Sequence, residues 1–175
     1  MEGLIKKTGQ LLKRIELEQV LKELSEIEYT TIKTNKKVEY INLEVAFDIE
    51  STSTYINPDE KFAFMYLWTI GFKDSNYIYH GRTWEEFQEL IQALRIFFNL
   101  SPTRRLVIYV HNLGYEFQFM RKYLEWEEVF SVELRKPIKA VTTSGVEFRC
   151  SYILSGFSLD RLAKNLVSHK IEKLT

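Results

Sequence analysis

Asp48 and Glu50 stand two positions apart in the run Ala46-Phe47-Asp48-Ile49-Glu50-Ser51-Thr52. In a β-strand that spacing puts both carboxylates on one face, because side chains alternate with period 2. Acids held side by side repel, and a fold tolerates this poorly unless a cation neutralises them. Hard divalent cations such as Mg²⁺ prefer oxygen ligands of this kind. The plainer alternative for a bare D-x-E is a pair of solvated acids on an edge strand. A second segment adds weight to the first. Leu106-Val107-Ile108-Tyr109-Val110 is apolar and rich in β-branched residues, the pattern of a buried strand. It passes through His111-Asn112 into a helical pattern with Phe119, Tyr123 and Leu124 on one side. Asn112 is placed to cap that helix, and Gly114 lets another group approach the backbone closely. His111, Asn112 and Glu116 therefore gather at the carboxyl end of a strand, where open α/β sheets place their ligands.

Together the two segments resemble the first and second exonuclease motifs of family B DNA polymerases, most closely the protein-primed phage and plasmid subgroup. Phe47 to Thr52 corresponds to D-x-E-[ST], and Tyr109-Val110-His111-Asn112-Leu113-Gly114-Tyr115-Glu116 to H-N-L-x-[FY]-D. Cys150-Ser151-Tyr152-Ile153-Leu154 lies near the family's S-L-x-x motif, ahead of Phe157 to Lys164. The resemblance runs from about Val45 to Leu166. It implies a 3′→5′ proofreading exonuclease domain, an α/β fold of the RNase H-like (DEDD) kind with a mixed sheet flanked by helices. It also implies two divalent ions, Mg²⁺ or Mn²⁺, about 3.5–4 Å apart. Asp48 would bridge both ions, Glu50 would bind the one that holds the attacking water, and Glu116 would help hold the other. By the same analogy Ser51, His111, Asn112, Tyr115 and Ser151 contact the terminal nucleotides of single-stranded DNA. Tyr115 has two readings, a stacking or wedging ring and a core aromatic. For His111 the alternative to a catalytic role is a hydrogen-bonded structural histidine.

The chain departs from the family at two points. The second motif usually ends in Asp, whereas Glu116 is one methylene longer and must bend back to hold the same metal. The third motif, Y-x-x-x-D, has no match after Leu166, where the chain runs Val167-Ser168-His169-Lys170-Ile171-Glu172-Lys173-Leu174-Thr175. Polymerase palm, fingers and thumb are missing too. The expectation is an N-terminal fragment or an early-ending reading frame, weak or inactive alone, with Asp160 and Glu172 as the late candidates for a fourth acid. Expected partners are the 3′ end of single-stranded DNA, a terminal (priming) protein or the missing polymerase domain. A catalytically degenerate binding module and a stand-alone nuclease acting on RNA or short oligonucleotides are the other classes.

Composition bounds these readings. With 24 basic and 24 acidic residues the net charge is zero, which argues against an indiscriminate nucleic-acid coat. Hydrophobic residues make up 45 % of the 175-residue chain and aromatics 14 %, enough for one cored domain. A single cysteine, Cys150, rules out an internal disulfide framework and fits a reducing cytoplasm, the host's if the chain is phage-encoded. No apolar run approaches the roughly 18 residues of a membrane span, and no signal-peptide pattern opens the chain. No G-x-G-x-x-G follows a strand, which argues against a Rossmann enzyme, and Walker-type phosphate binding is excluded.

Two regions must position the acids. Residues 1–37 read as a helical extension and linker: Leu4, Ile5, Leu11, Leu12, Ile15, Val20, Leu21, Leu24 and Ile27 recur at helical spacing over 3–28, and 30–37 is polar. That extension either packs on the sheet, docks a partner such as a priming protein, or forms a mobile tail. Residues 38–175 read as the nuclease body. Its expected strands are 38–50, 62–72, 76–80, 106–110, 129–134, 140–143 and 146–152, with a turn over 53–60. A helix over 83–98 has Thr83 as cap and Glu86 in the capping-box position, and shorter helices follow around 116–124 and 158–166. His80 and His169 read as surface residues.

Overall fold

The structure is a computed structural model and describes residues 10–166. Its elements in chain order are β1 (Leu11–Arg14), α1 (Leu17–Glu26), β2 (Thr30–Lys33), β3 (Glu39–Asn42), β4 (Val45–Asn57), β5 (Glu60–Phe72) and β6 (Tyr77–Gly81). They continue with α2 (Trp84–Phe98), β7 (Arg104–Val110), α3 (Leu113–Met120), β8 (Trp126–Glu133), β9 (Lys136–Thr142), β10 (Val146–Cys150), α4 (Tyr152–Ser155) and α5 (Leu159–Asn165). One mixed sheet orders the strands β1-β6-β5-β4-β7-β10-β9-β8, with the β2–β3 hairpin attached along β7. The fold is thus α/β, a large mixed sheet with helices against it. Among the described residues no helix is long and apolar enough to cross a membrane.

Strand β4 organises the molecule. Val45, Phe47 and Ile49 point into the core while Ala46, Asp48 and Glu50 point out of it, the alternation a one-sided strand requires. On one side β4 pairs antiparallel with β5, which pairs antiparallel with β6. On the other it runs parallel to β7, and β7 parallel to β10. Phe47 sits at the centre of an aromatic cluster, with ring centroids 4.6 Å from Phe87, 6.5 Å from Trp68 and 6.3 Å from Phe148. Helix α2 supplies Phe87, Leu90, Ile91, Leu94 and Phe98 to that core. Its start is fixed by the expected capping box: the Glu86 amide donates to the Thr83 hydroxyl, and the Glu86 carboxylate accepts from the Thr83 amide.

The amino-terminal part departs from expectation. Among its described residues only α1 is helical, placing Val20 and Leu24 in the core. Leu11 to Arg14 instead forms an edge strand parallel to β6, in register from Leu11–Tyr77 to Arg14–His80. Leu4 and Ile5 lie outside the described residues. The polar stretch expected as a linker holds β2, antiparallel to β3, with all four of its residues exposed. The expected turn over 53–60 shrinks to Pro58-Asp59, because β4 runs on to Asn57 and β5 begins at Glu60 as one long hairpin arm. Around the second motif, α3 starts at Leu113, three residues before the expected helix.

Candidate active site

The sheet has two unlike faces. Opposite the aromatic core, Ala46 and Gly71 floor an open groove of about 750 Å³, with Thr69 and Asp48 at one end and Tyr109, His111, Ser151 and Leu159 along its side. Asp48 lies at the point where β7 ends, since Phe47 is paired with Val110. The chain leaving β7 turns through Asn112 in the left-handed region, φ 68°, and enters α3. A non-glycine residue there is uncommon, and asparagine is among the few that tolerate it. Asn112 is the residue before the helix, as expected, but its exposed side chain makes no capping hydrogen bond; the turn uses its backbone instead. Gly114 has the expected close neighbour, the Lys136 backbone, whose Cα would lie 3.4 Å from an added Cβ.

Helix α3 aims Glu116 inward, leaving the residue 4 % exposed. Its Oε2 is buried without a hydrogen-bond partner. Burial pushes its carboxyl up to about 8; its own backbone N–H opposes the shift and the nearby Asp48 charge adds to it. The Asp48 carboxyl is raised as well, first because neighbouring protein displaces water from it, and further by Glu50. The Ile49 amide and the charge of His111 pull the other way. Two segments distant in sequence thus bring their acids together: Asp48 is coupled to Glu50 on its own strand and to Glu116 across the end of β7. Among the described residues no three His, Cys, Asp or Glu side chains converge on one point. Glu50 remains exposed at the outer end of this chain of acids.

Four of the five expected nucleic-acid contacts form two pairs, and Asn112 joins neither. His111 Nε2 lies 3.0 Å from the Phe157 carbonyl, which can only accept, so that nitrogen carries the proton. Nδ1, 3.1 Å from the Ser151 hydroxyl, then accepts from it in the neutral ring. His111 is therefore a hydrogen-bonded histidine that fastens the segment after β10 to the second motif. Ser51 hydrogen-bonds the Tyr115 hydroxyl, joining the first motif to α3. Tyr115 is 47 % exposed and its ring lies tilted against Phe119 at 5.2 Å, so it is not a core aromatic.

Of the late acids, Asp160 pairs with Lys164 at 2.8 Å one turn along α5, a surface ion pair at the start of a helix. Glu172 and His169 lie outside the described residues. His80 is half-buried, not a surface residue, and its Nδ1 is enclosed without a partner. Desolvation lowers its imidazole, and the charges of Arg14 and Arg82 add to the effect. It shares a cross-strand row with Arg14, Thr69 and Asp48, a placement that depends on a β1–β6 pairing invisible in local pattern. The donor set of Asp48, Glu50 and Glu116 is all oxygen, and the partnerless buried Oε2 is the kind of group a hard divalent cation satisfies. Comparison of the chain with protein-family models, curated proteins and solved structures gives no match.

Proposed function

We propose that this chain is a metal-dependent nuclease domain of the RNase H-like kind, removing nucleotides from the 3′ end of single-stranded DNA as the proofreading domain of a protein-primed family B polymerase does. The observation that carries the proposal is Glu116: a buried carboxylate from the second motif, with one oxygen unpartnered, set beside Asp48 of the first. The topology supports it. The acid-bearing strand β4 is central, with the antiparallel β5–β6 pair on one side and the parallel β7 and β10 on the other. Asp48, Glu50 and Glu116 would hold Mg²⁺ or Mn²⁺, Glu50 swinging in once a cation offsets the repulsion that keeps the acids apart. When bound, a divalent cation polarises the scissile phosphodiester and makes water a stronger nucleophile.

The chain's own residues then do the positioning. The Ser51 hydroxyl holds Tyr115 by its phenol, leaving the exposed ring to stack on a terminal base. His111, fixed at both nitrogens, keeps Ser151 beside the groove. Gly71 and Ala46 keep the groove floor free of bulk, so a nucleoside can lie flat next to Asp48. With Asp160 engaged by Lys164, the described residues offer three acids, and a second ion would be held weakly.

The test is Mn²⁺-dependent shortening of a 5′-labelled single-stranded oligonucleotide. A ladder receding from the 3′ end, slowed at least about a hundredfold in Asp48→Ala-Glu50→Ala, supports the assignment. DNA binding indifferent to Mn²⁺ and to the double substitution, with no cleavage, would replace it with a non-cutting binding module.

A further inference from the structure

The β4–β5 arm carries a feature that the acids alone do not explain. Glu50 pairs with Leu67, but the next residue, Ser51, pairs with Met65, so Tyr66 is an extra residue in β5. Directly opposed residues in an antiparallel pair share a face, and one inserted residue exchanges the faces of everything beyond it. Met65 shows the exchange: it is 8 % exposed and packs in the core, where unbroken alternation from Trp68 would have pointed it outward. Beyond the bulge Thr52 opposes Phe64 and Thr54 opposes Phe62. Both phenylalanines therefore stand on the face that carries Asp48 and Glu50. Without the bulge they would continue the core face.

The two rings are 49 % and 39 % exposed, for Phe62 and Phe64, and are stacked on each other with centroids 6.1 Å apart and planes 23° apart. Resting on the assignment of the acids to nucleic-acid chemistry, we propose that this arm face is a base-stacking track for single-stranded nucleic acid leading away from the acid site. Side chains recur on that face every second residue, roughly 7 Å, a step comparable to one extended nucleotide. The face carries no acid from Glu50 until Glu60 at its outer end, which accepts from Asn57, and between them Thr52 and Thr54 offer hydroxyls to phosphate oxygens. Lys61 is turned to the opposite face and lies over Tyr55, 5.8 Å from its ring centroid. The track thus binds by ring faces and hydroxyls, which suits any base. Continuity with the acid pair on one strand and one face selects nucleic acid as the occupant over a second copy of the chain.

The experiment measures fluorescence anisotropy of a 5′-labelled 16-nucleotide oligothymidine with the full chain in EDTA, where nothing is cut. Phe62→Ala-Phe64→Ala is expected to weaken binding at least about tenfold. Phe62→Tyr-Phe64→Tyr should bind like the unsubstituted chain, and Phe62→Leu-Phe64→Leu like the alanine form, a split that a merely apolar contact does not produce. Both rings are exposed, so unchanged thermal melting will show that the variants fold. Unchanged binding in the alanine form overturns the track, as does absence of binding by the unsubstituted chain. Self-association that the alanine form abolishes, without any effect on DNA, overturns it in favour of a second copy. Cleavage that depends on Asp48 and Glu50 but not on the rings would leave the nuclease assignment standing while the track falls. Ring-dependent binding without cleavage gives the reverse.

Discussion

Glu147 and Glu116 are both buried glutamates, and the protein treats them in opposite ways. Glu147, on β10, has no exposed area, yet both oxygens are occupied: Tyr40 at 3.0 Å, Arg105 at 2.9 Å and Arg149 at 2.6 Å all donate to it. Burial works to raise its carboxyl, but the two guanidinium groups and the phenol outweigh it, and the group ends below its ordinary value. Glu116 has the same burial without the donors, and it faces another acid. One buried charge is neutralised from within and ties β3, β7 and β10 together. The other side chain keeps its proton up to about pH 8, with one oxygen unpartnered.

The sharpest way to break this contrast is Glu147→Gln. It leaves Arg105 and Arg149 without their counter-charge and should cost about 3 kcal/mol in urea unfolding at neutral pH. The cost should shrink in acid: a carboxyl held below its ordinary 4.5 gives its stability above that value and loses it as pH falls through the lowered one. Glu116→Gln should act with the opposite sign. A carboxyl raised from 4.5 to about 8 gives its full contribution below 4.5 and loses it as pH climbs through 8. Removing it should therefore stabilise the cation-free chain by roughly 1–2 kcal/mol at pH 9, and by almost nothing at pH 5, in melts across that range. Millimolar Mn²⁺ should stabilise the unsubstituted chain increasingly from pH 6 to 9 and leave the glutamine variant unmoved. A glutamine variant less stable than the parent at pH 9 would show that Glu116 is satisfied after all. The smallest effect is Tyr40→Phe, which removes one of three donors to Glu147 and should cost about 1 kcal/mol.

Sequence pattern reveals some of this and conceals the rest for physical reasons. The alternation Phe47-Asp48-Ile49-Glu50 and the Thr83–Glu86 capping box are local signals, and both appear in the structure as expected. Strand β1 was hidden because Leu11, Leu12 and Ile15 also satisfy a helical period. What decides for a strand is pairing with β6 and the Gln10 side chain's bond to the Ser75 carbonyl, both far away in sequence. Strand β2 had no signal at all, since a strand exposed at all four residues needs no apolar alternation. At the site, Asp48, Glu50 and Glu116 could be picked by residue type and spacing. The burial of Glu116 and the row from His80 to Asp48 required the sheet to be assembled first.

The extra residue at Tyr66 makes the outer arm sensitive to a kind of change that substitutions do not probe. Beyond it, the count of residues matters more than their identity. Losing Tyr66 itself would close the bulge and leave Met65 opposite Ser51, with Phe62 and Phe64 still on the Asp48 face, whereas losing one residue farther out, such as Ala63, would carry Phe62 to the far side from Asp48. Losing two would keep the faces but shorten the arm. Beyond the bulge, in-frame deletions of odd and even length should therefore have unlike fates, and natural length variation there should come in steps of two.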